Sequence, residues 1–208
     1  MSSMTSGALG AILSQFPRYD EAFILRELAA LAQGPRPLII FSLRPCRDRI
    51  IHDQAKRLQP KTRYAPFFFS GPLWRSHAYF LRRTPRAYWA MLAWIMSRHW
   101  RHPLVLAKTL ILFPKMVHFA RLAKEQGITH LHAFWATYPA IAAFIAHRLT
   151  GISYSLSGHA HDLYTTNPAL VEKLREATFA VTCTEHNKRY LEQLMDGFVG
   201  SSVRRFTR

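Results

Sequence analysis

Apolar and polar positions follow two different periods along this chain, and the changes between them mark its elements. Residues 8–14, ALGAILS, form an apolar run of strand length. QFPRYD follows as a loop in which Pro17 blocks an early helix, and Asp20 stands where a helix N-cap belongs. From Glu21 the apolar residues Phe23, Ile24, Leu28 and Leu31 recur at helical spacing until Gly34 and Pro35 stop them. Residues 37–43, PLIIFSL, are continuously apolar, as expected for a parallel strand buried on both faces. A short helix is expected within residues 47–58. TRYAPFFF, residues 62–69, reads as a third strand that Pro66 pushes toward an edge.

Past Gly127 the pattern becomes regular. ITHLHAFWA reads as strand, YPAIAAFIAHRL as helix ended by Gly151, SYSLSGHAHD as strand, PALVEKLREA as helix, FAVTCTE as strand and NKRYLEQL as helix. Strands and helices alternating over short connections predict an α/β fold, a Rossmann-like parallel sheet with helices on both faces. Functional groups then gather at the carboxyl ends of the strands. One domain spans residues 8–196, with a helical insertion at 72–126, and the pattern fades into an irregular tail at 197–208.

The insertion brings charge into the picture. From Asp53 to Glu125 no acidic residue intervenes, in a chain of formal charge +16. Arg75, Arg82, Arg83, Arg98 and Arg101 are interleaved there with Trp74, Trp89, Trp94 and Trp100. Pro85, Pro103 and Pro114 are expected to break this stretch into two or three helices. Packing of an aromatic stripe on the sheet accounts for much of the pattern. A basic, Trp-rich surface that rests on an anionic membrane or meets a lipid phosphate is the other reading. Nucleic acid is not expected, since no sequence signature of a DNA-binding motif is present. The N-terminus lacks a basic region and a long apolar run, and Lys108, Pro114 and Lys115 interrupt PLVLAKTLILFPKMVHFA, so neither a signal peptide nor a transmembrane helix is expected. A cytoplasmic protein peripheral to the inner face of the membrane follows. Cys46 and Cys183 have no metal spacing and are expected as buried thiols.

Candidate chemistry concentrates in SYSLSGHAHDLY, residues 153–164. His159 follows Ser157 and Gly158 at a strand end, where backbone approaches a ligand closely. His132, Asp162 and Glu185 fall near other strand ends and are candidates to line the same cleft. His130 with His132 and His159 with His161 make two H-x-H pairs, but no third motif accompanies them and no metal is expected.

Three ordered stretches, LSQFPRYDEAFILRELAAL, HLHAFWATYPAIAAFIAHRLTGISYSLSGHAHDLY and FAVTCTEHNKRYLEQL, resemble the N-terminal half of GT-B glycosyltransferases, specifically the family-4-like group that assembles exopolysaccharides and lipid-linked sugars. Ala22 departs from the group's usual Thr, and Asp20 from its usual Ser. The resemblance implies a metal-independent retaining enzyme that moves a sugar from a nucleotide-sugar to a glycan or lipid-linked acceptor. It makes His159 the residue reaching the transferred sugar or acceptor, Glu21 and Asp162 cleft-lining, and the loop with Phe16, Pro17 and Asp20 donor-facing. In that group most donor contacts come from a C-terminal domain that these 208 residues lack, so the chain alone is expected to be inactive.

Overall fold

Strands β1 (Ala8–Gln15), β2 (Leu38–Arg44), β3 (Thr62–Tyr64), β4 (Ile128–Ala133), β5 (Ser153–Gly158), β6 (Ala180–Thr182) and β7 (Phe206–Thr207) pair in parallel throughout, in the spatial order β3-β2-β1-β4-β5-β6-β7. They belong to a computed structural model that describes residues 7–46, 51–66, 70–196 and 206–207. The helices are α1 (Ala22–Gln33), α2 (Asp53–Leu58), α3 (Gly71–Arg83), α4 (Pro85–His99), α5 (Pro103–Glu125), α6 (Tyr138–Thr150), α7 (Ala160–Leu163), α8 (Leu170–Glu176) and α9 (Glu185–Asp196). This is the Rossmann-like α/β fold that the alternating pattern predicts.

The chain steps one way from β1 to β3 and the other way from β4 to β7. Right-handed crossovers then place α1 and α2 on one face and α6, α8 and α9 on the other. The buried residues divide accordingly. Ala11, Leu13 and Ile40 join Ile24, Leu28 and Leu58 in one core. Ile12, Phe41, Leu131, Tyr154 and Leu156 join Phe119, Phe144 and Leu191 in the second. α6 lies at the centre of the second core; its run of alanines at 140, 142, 143 and 146 is buried and lets α5 and the sheet approach it closely.

The insertion forms three helices. Pro85 and Pro103 each open a helix, where a missing N–H costs nothing. Pro114 does not break α5 as expected. Phe113 and Met116 are buried on either side of it, while Leu110, whose carbonyl loses its partner, is exposed to water. α5 is long and apolar enough to cross a bilayer by length and composition, but its second half, from Met116 to Ala123, is largely buried in the second core. Histidines of this layer are held by neighbours: His77 Nδ1 lies 2.8 Å from the Tyr88 hydroxyl and His118 Nδ1 2.9 Å from Ser76 Oγ.

Several expectations need correction. Asp20 is not a cap, because the helix begins at Ala22 with Glu21 in the N-cap position and no side-chain bond there. Asp20 is engaged by Arg18 instead. Cys183 is exposed and Cys46 half-buried, each just past a strand end, so neither is a core thiol. The third strand ends at Tyr64; Phe67–Phe69 and residues 47–50 of the short helical stretch lie outside the described residues. In the tail, Phe206 and Thr207 pair with β6, and the rest is outside the description.

Gly10 sits in the middle of β1, where an added Cβ would lie 2.6 Å from Leu131 Cδ2. Leu131 is fully packed and has little room to yield. Gly10→Ala is therefore expected to destabilise the fold by about 1–3 kcal/mol, read as a lower denaturant midpoint with an unchanged slope.

Candidate functional site at the carboxyl edge

Strand order reverses between β1 and β4, and in an open parallel sheet that reversal opens a crevice at the carboxyl ends. Three loops meet there: residues 16–21 after β1, 134–137 after β4, and His159 after β5. Their side chains interlock. The His159 ring packs against Trp135, with centroids 4.7 Å apart, and against Phe23 at 5.1 Å. The Trp135 indole N–H stands by the Glu21 carboxylate and favours its charged form, and Arg18 Nε stands 3.6 Å from Glu21 Oε1.

Burial dominates the titration of both ionisable groups. It raises the Glu21 carboxyl to about 7, against the opposing pull of Arg18. It lowers His159, although Asp162 pulls the other way, so the imidazole is neutral at pH 7. His159 Nδ1 is buried and makes no hydrogen bond within the described residues. A carboxyl group that gains and loses a proton near neutrality thus shares Trp135 with a neutral imidazole. That pairing suits acid–base or hydrogen-bonding chemistry on a hydroxylated substrate.

The loop that presents Trp135 is fixed by a buried polar clamp. Asp162 accepts hydrogen bonds from the Ala136 N–H through Oδ2 and from the His159 N–H through Oδ1, the latter at 2.6 Å. The Ala136 carbonyl accepts from Lys173 Nζ at 2.7 Å and from Asn167 Nδ2 at 3.1 Å, and Asn167 Oδ1 accepts from Lys173 at 2.6 Å. Lys173 is completely buried, and desolvation lowers it to about 7 in spite of Asp162.

A scan against protein-family models and a search of curated proteins find no match to this chain. Geometry and chemistry therefore carry the assignment.

The residues singled out in the sequence fall into three groups. Glu21 and His159 come together through Trp135. Asp162 lies beside them but is 1% exposed, and it braces the crevice instead of lining it. Phe16 is a core residue whose N–H donates to Ser42 Oγ at 2.8 Å, and Pro17 beside it is buried as well, so of the predicted donor-facing residues only Asp20 is exposed. Glu185 opens α9 beyond β6 and lies 3.7 Å from Arg189. His161 is exposed on α7. Trp135 and Lys173 are the residues that sequence reasoning missed, while the exposed Phe23 ends the segment, residues 16–23, that the resemblance turns toward the donor. Phe23 reads as core by periodicity, and Trp135 reads as the end of a strand.

His132 belongs to a different construction. On the α1 side of the sheet, β4 and β5 carry a hydrogen-bonded ladder. His130 Nδ1 meets Ser153 Oγ at 2.9 Å and its Nε2 meets Ser155 Oγ at 2.8 Å. His132 Nδ1 meets Ser155 Oγ at 2.7 Å and its Nε2 meets Ser157 Oγ at 2.9 Å. Burial keeps both imidazoles neutral, His132 at about 4, so each has one donor and one acceptor. Ser153 donates to the Thr129 carbonyl, 3.1 Å away, and can only accept from His130. The direction of every other bond follows: both rings carry the proton on Nδ1, and Ser157 and Ser155 donate to Nε2. The ladder floors a cavity of about 840 Å³ lined also by Leu31, Phe179 and Val181. Among the described residues no group of three or more His, Cys, Asp or Glu is placed to hold a metal ion.

Two outcomes follow. Folded Glu21 binds its proton more tightly than the unfolded chain does, so its contribution is present below about pH 4.5 and lost as pH rises through 7. Glu21→Gln, which keeps an acceptor for Trp135, should leave stability unchanged at pH 4 and raise it by about 2 kcal/mol at pH 8, as read by thermal unfolding. In ¹⁵N spectra, His130 and His132 should both appear as neutral Nδ1–H tautomers at pH 7. The other tautomer at either ring would contradict the ladder's direction.

Proposed function

We propose that this chain is the acceptor-side domain of a GT-B glycosyltransferase, transferring a sugar from a nucleotide-sugar to a lipid-linked or polysaccharide acceptor. The observation that carries the reading is the crevice at the strand-order reversal, where His159, Trp135, Phe23 and Glu21 converge. Aromatic faces suit the apolar side of a sugar ring, and a neutral imidazole suits its hydroxyls. His159 holds an acceptor or sugar hydroxyl, Glu21 takes or returns a proton, and Arg18 tunes Glu21. The donor's nucleotide is held by a second domain of the same general fold, which faces this edge. The domain works at an anionic membrane surface on the cytoplasmic side.

A second reading, a non-catalytic module that binds an anionic membrane, draws on the insertion. Trp74, Trp89 and Trp100 are each 60% or more exposed, and Leu104 is 78% exposed. Arg75, Arg82, Arg83 and Arg101 are exposed on the same layer. Two members of the predicted surface are otherwise engaged: Trp94 packs on Phe144 at 4.6 Å, and Arg98 pairs with Glu172 at 2.9 Å.

The two readings separate by experiment. Supplied with a donor-binding domain and nucleotide-sugar, the chain should support transfer, and His159→Ala should lower it by roughly 100-fold or more while His161→Ala changes little. Equal activity of His159→Ala and the parent would remove the crevice from the reaction. In flotation, the chain should follow anionic but not neutral vesicles, and Trp100→Ser with Leu104→Ser should release it.

A further inference from the structure

A second hollow, of about 290 Å³, opens beside the crevice between the ends of β1 and β2 and the first half of α5. Ser14, Arg44, Lys108 and Tyr138 supply its polar groups, and Leu43 and Ile111 its apolar wall. Among the described residues neither Arg44 nor Lys108 has a carboxylate at ion-pair distance. A third cation, Lys115, donates to the Leu43 carbonyl at 3.2 Å, and burial, with a smaller contribution from the charge of Arg44, lowers its pKa. Positive charge is thus crowded around a hollow with hydroxyl donors, an arrangement that favours an anion.

The hollow connects in two directions. Arg44 acts electrostatically on both Glu21 and Tyr138, which joins it to the crevice. On the other side, Leu104, Lys108, Ile111 and Lys115 recur at steps of four, three and four along α5 and so share one stripe. That stripe spans about 16 Å of helix. It begins at the exposed Leu104, just beyond Trp100 and the Arg101 guanidinium that covers its ring, and ends among the cations. Ile111 is itself 55% exposed. One helix face therefore runs from an exposed apolar tip into a cationic hollow.

We propose that this hollow binds the phosphate group of an amphiphilic phosphate ester, with Arg44 and Lys108 on the phosphate and the hydrocarbon chain lying along Ile111 and Leu104 toward Trp100. The proposal rests on the acceptor-side reading above and names the class of acceptor. The phosphate end lies next to Glu21 and the crevice, and the chain points to the surface proposed to meet a membrane.

Binding is read by intrinsic tryptophan fluorescence and calorimetry on residues 1–208, below the micelle concentration, with decyl phosphate, decanol and inorganic phosphate as probes. Decyl phosphate should bind at least tenfold more tightly than either other probe. Arg44→Gln and Lys108→Gln should each weaken it about tenfold or more, and Ile111→Ser should narrow the gap between decyl and inorganic phosphate while leaving the latter unchanged. Arg44 and Lys108 are exposed, and circular dichroism should find both variants folded. Equal binding of inorganic and decyl phosphate would overturn the amphiphile and leave a free-anion site. Binding of decyl phosphate indifferent to Arg44→Gln and Lys108→Gln would overturn the hollow as its place. Neither readout needs turnover: failed binding beside intact His159-dependent transfer rejects the hollow alone, and the converse rejects the enzyme reading alone.

Discussion

The Ala136 peptide is gripped from both sides, its N–H by the Asp162 carboxylate and its carbonyl by the Lys173 ammonium and the Asn167 amide. Such a group buried without partners would cost several times what one exposed hydrogen bond contributes, so the whole network must form together or not at all. Its consequence is positional. Ala136 follows Trp135, and Asp162 also holds the His159 amide, so one carboxylate sets the distance between the two rings that meet in the crevice. The buried lysine comes from α8, which ties the β4 loop to the helix between β5 and β6. A site assembled from three separate loops acquires rigidity from a clamp that touches two of them.

The same sheet carries a second polar construction with a different logic. The His–Ser ladder satisfies nearly every hydrogen-bonding atom within itself, which lets polar side chains cover a sheet face beside α1. Because its direction is anchored at the Thr129 carbonyl, the imidazoles have no spare lone pair for a metal or a substrate. The crevice differs in this respect: among the described residues the nearest group offered to the His159 ring is the Asp162 N–H at the start of α7, with Nδ1 outside hydrogen-bond geometry, and Glu21 sits at the balance point between its charged and neutral forms. Unfinished bonding, more than the number of histidines, separates the crevice from the ladder.

Much of this was legible in the chain. Alternating periods marked all of the strands from β1 to β6, and the regular run after Gly127 disclosed the parallel sheet and its carboxyl edge. His159 stood out because a histidine after Ser-Gly at a strand end belongs to that edge, whereas Glu21 was suggested only by the resemblance. What was hidden depends on contacts between distant segments. Lys173 reads as an ordinary surface residue of an amphipathic helix, and only the packing of α8 against the β4 loop buries it. Phe16 follows a strand and precedes a proline, so it reads as loop, yet the first core closes over it. His130 and His132 look like a metal pair until Ser153, Ser155 and Ser157 on the neighbouring strand are seen to be in register with them.

On the proposed function, Trp135 and its neighbours form the surface that receives the acceptor. The most direct measurement is the indole N–H resonance of Trp135 during titration with a hexosyl alkyl phosphate at pH 7. A saturable displacement of that resonance is expected, abolished in His159→Ala and accompanied by a change in the pH at which Glu21 titrates. A Trp135 signal that stays fixed while the ligand binds elsewhere on the protein would contradict it.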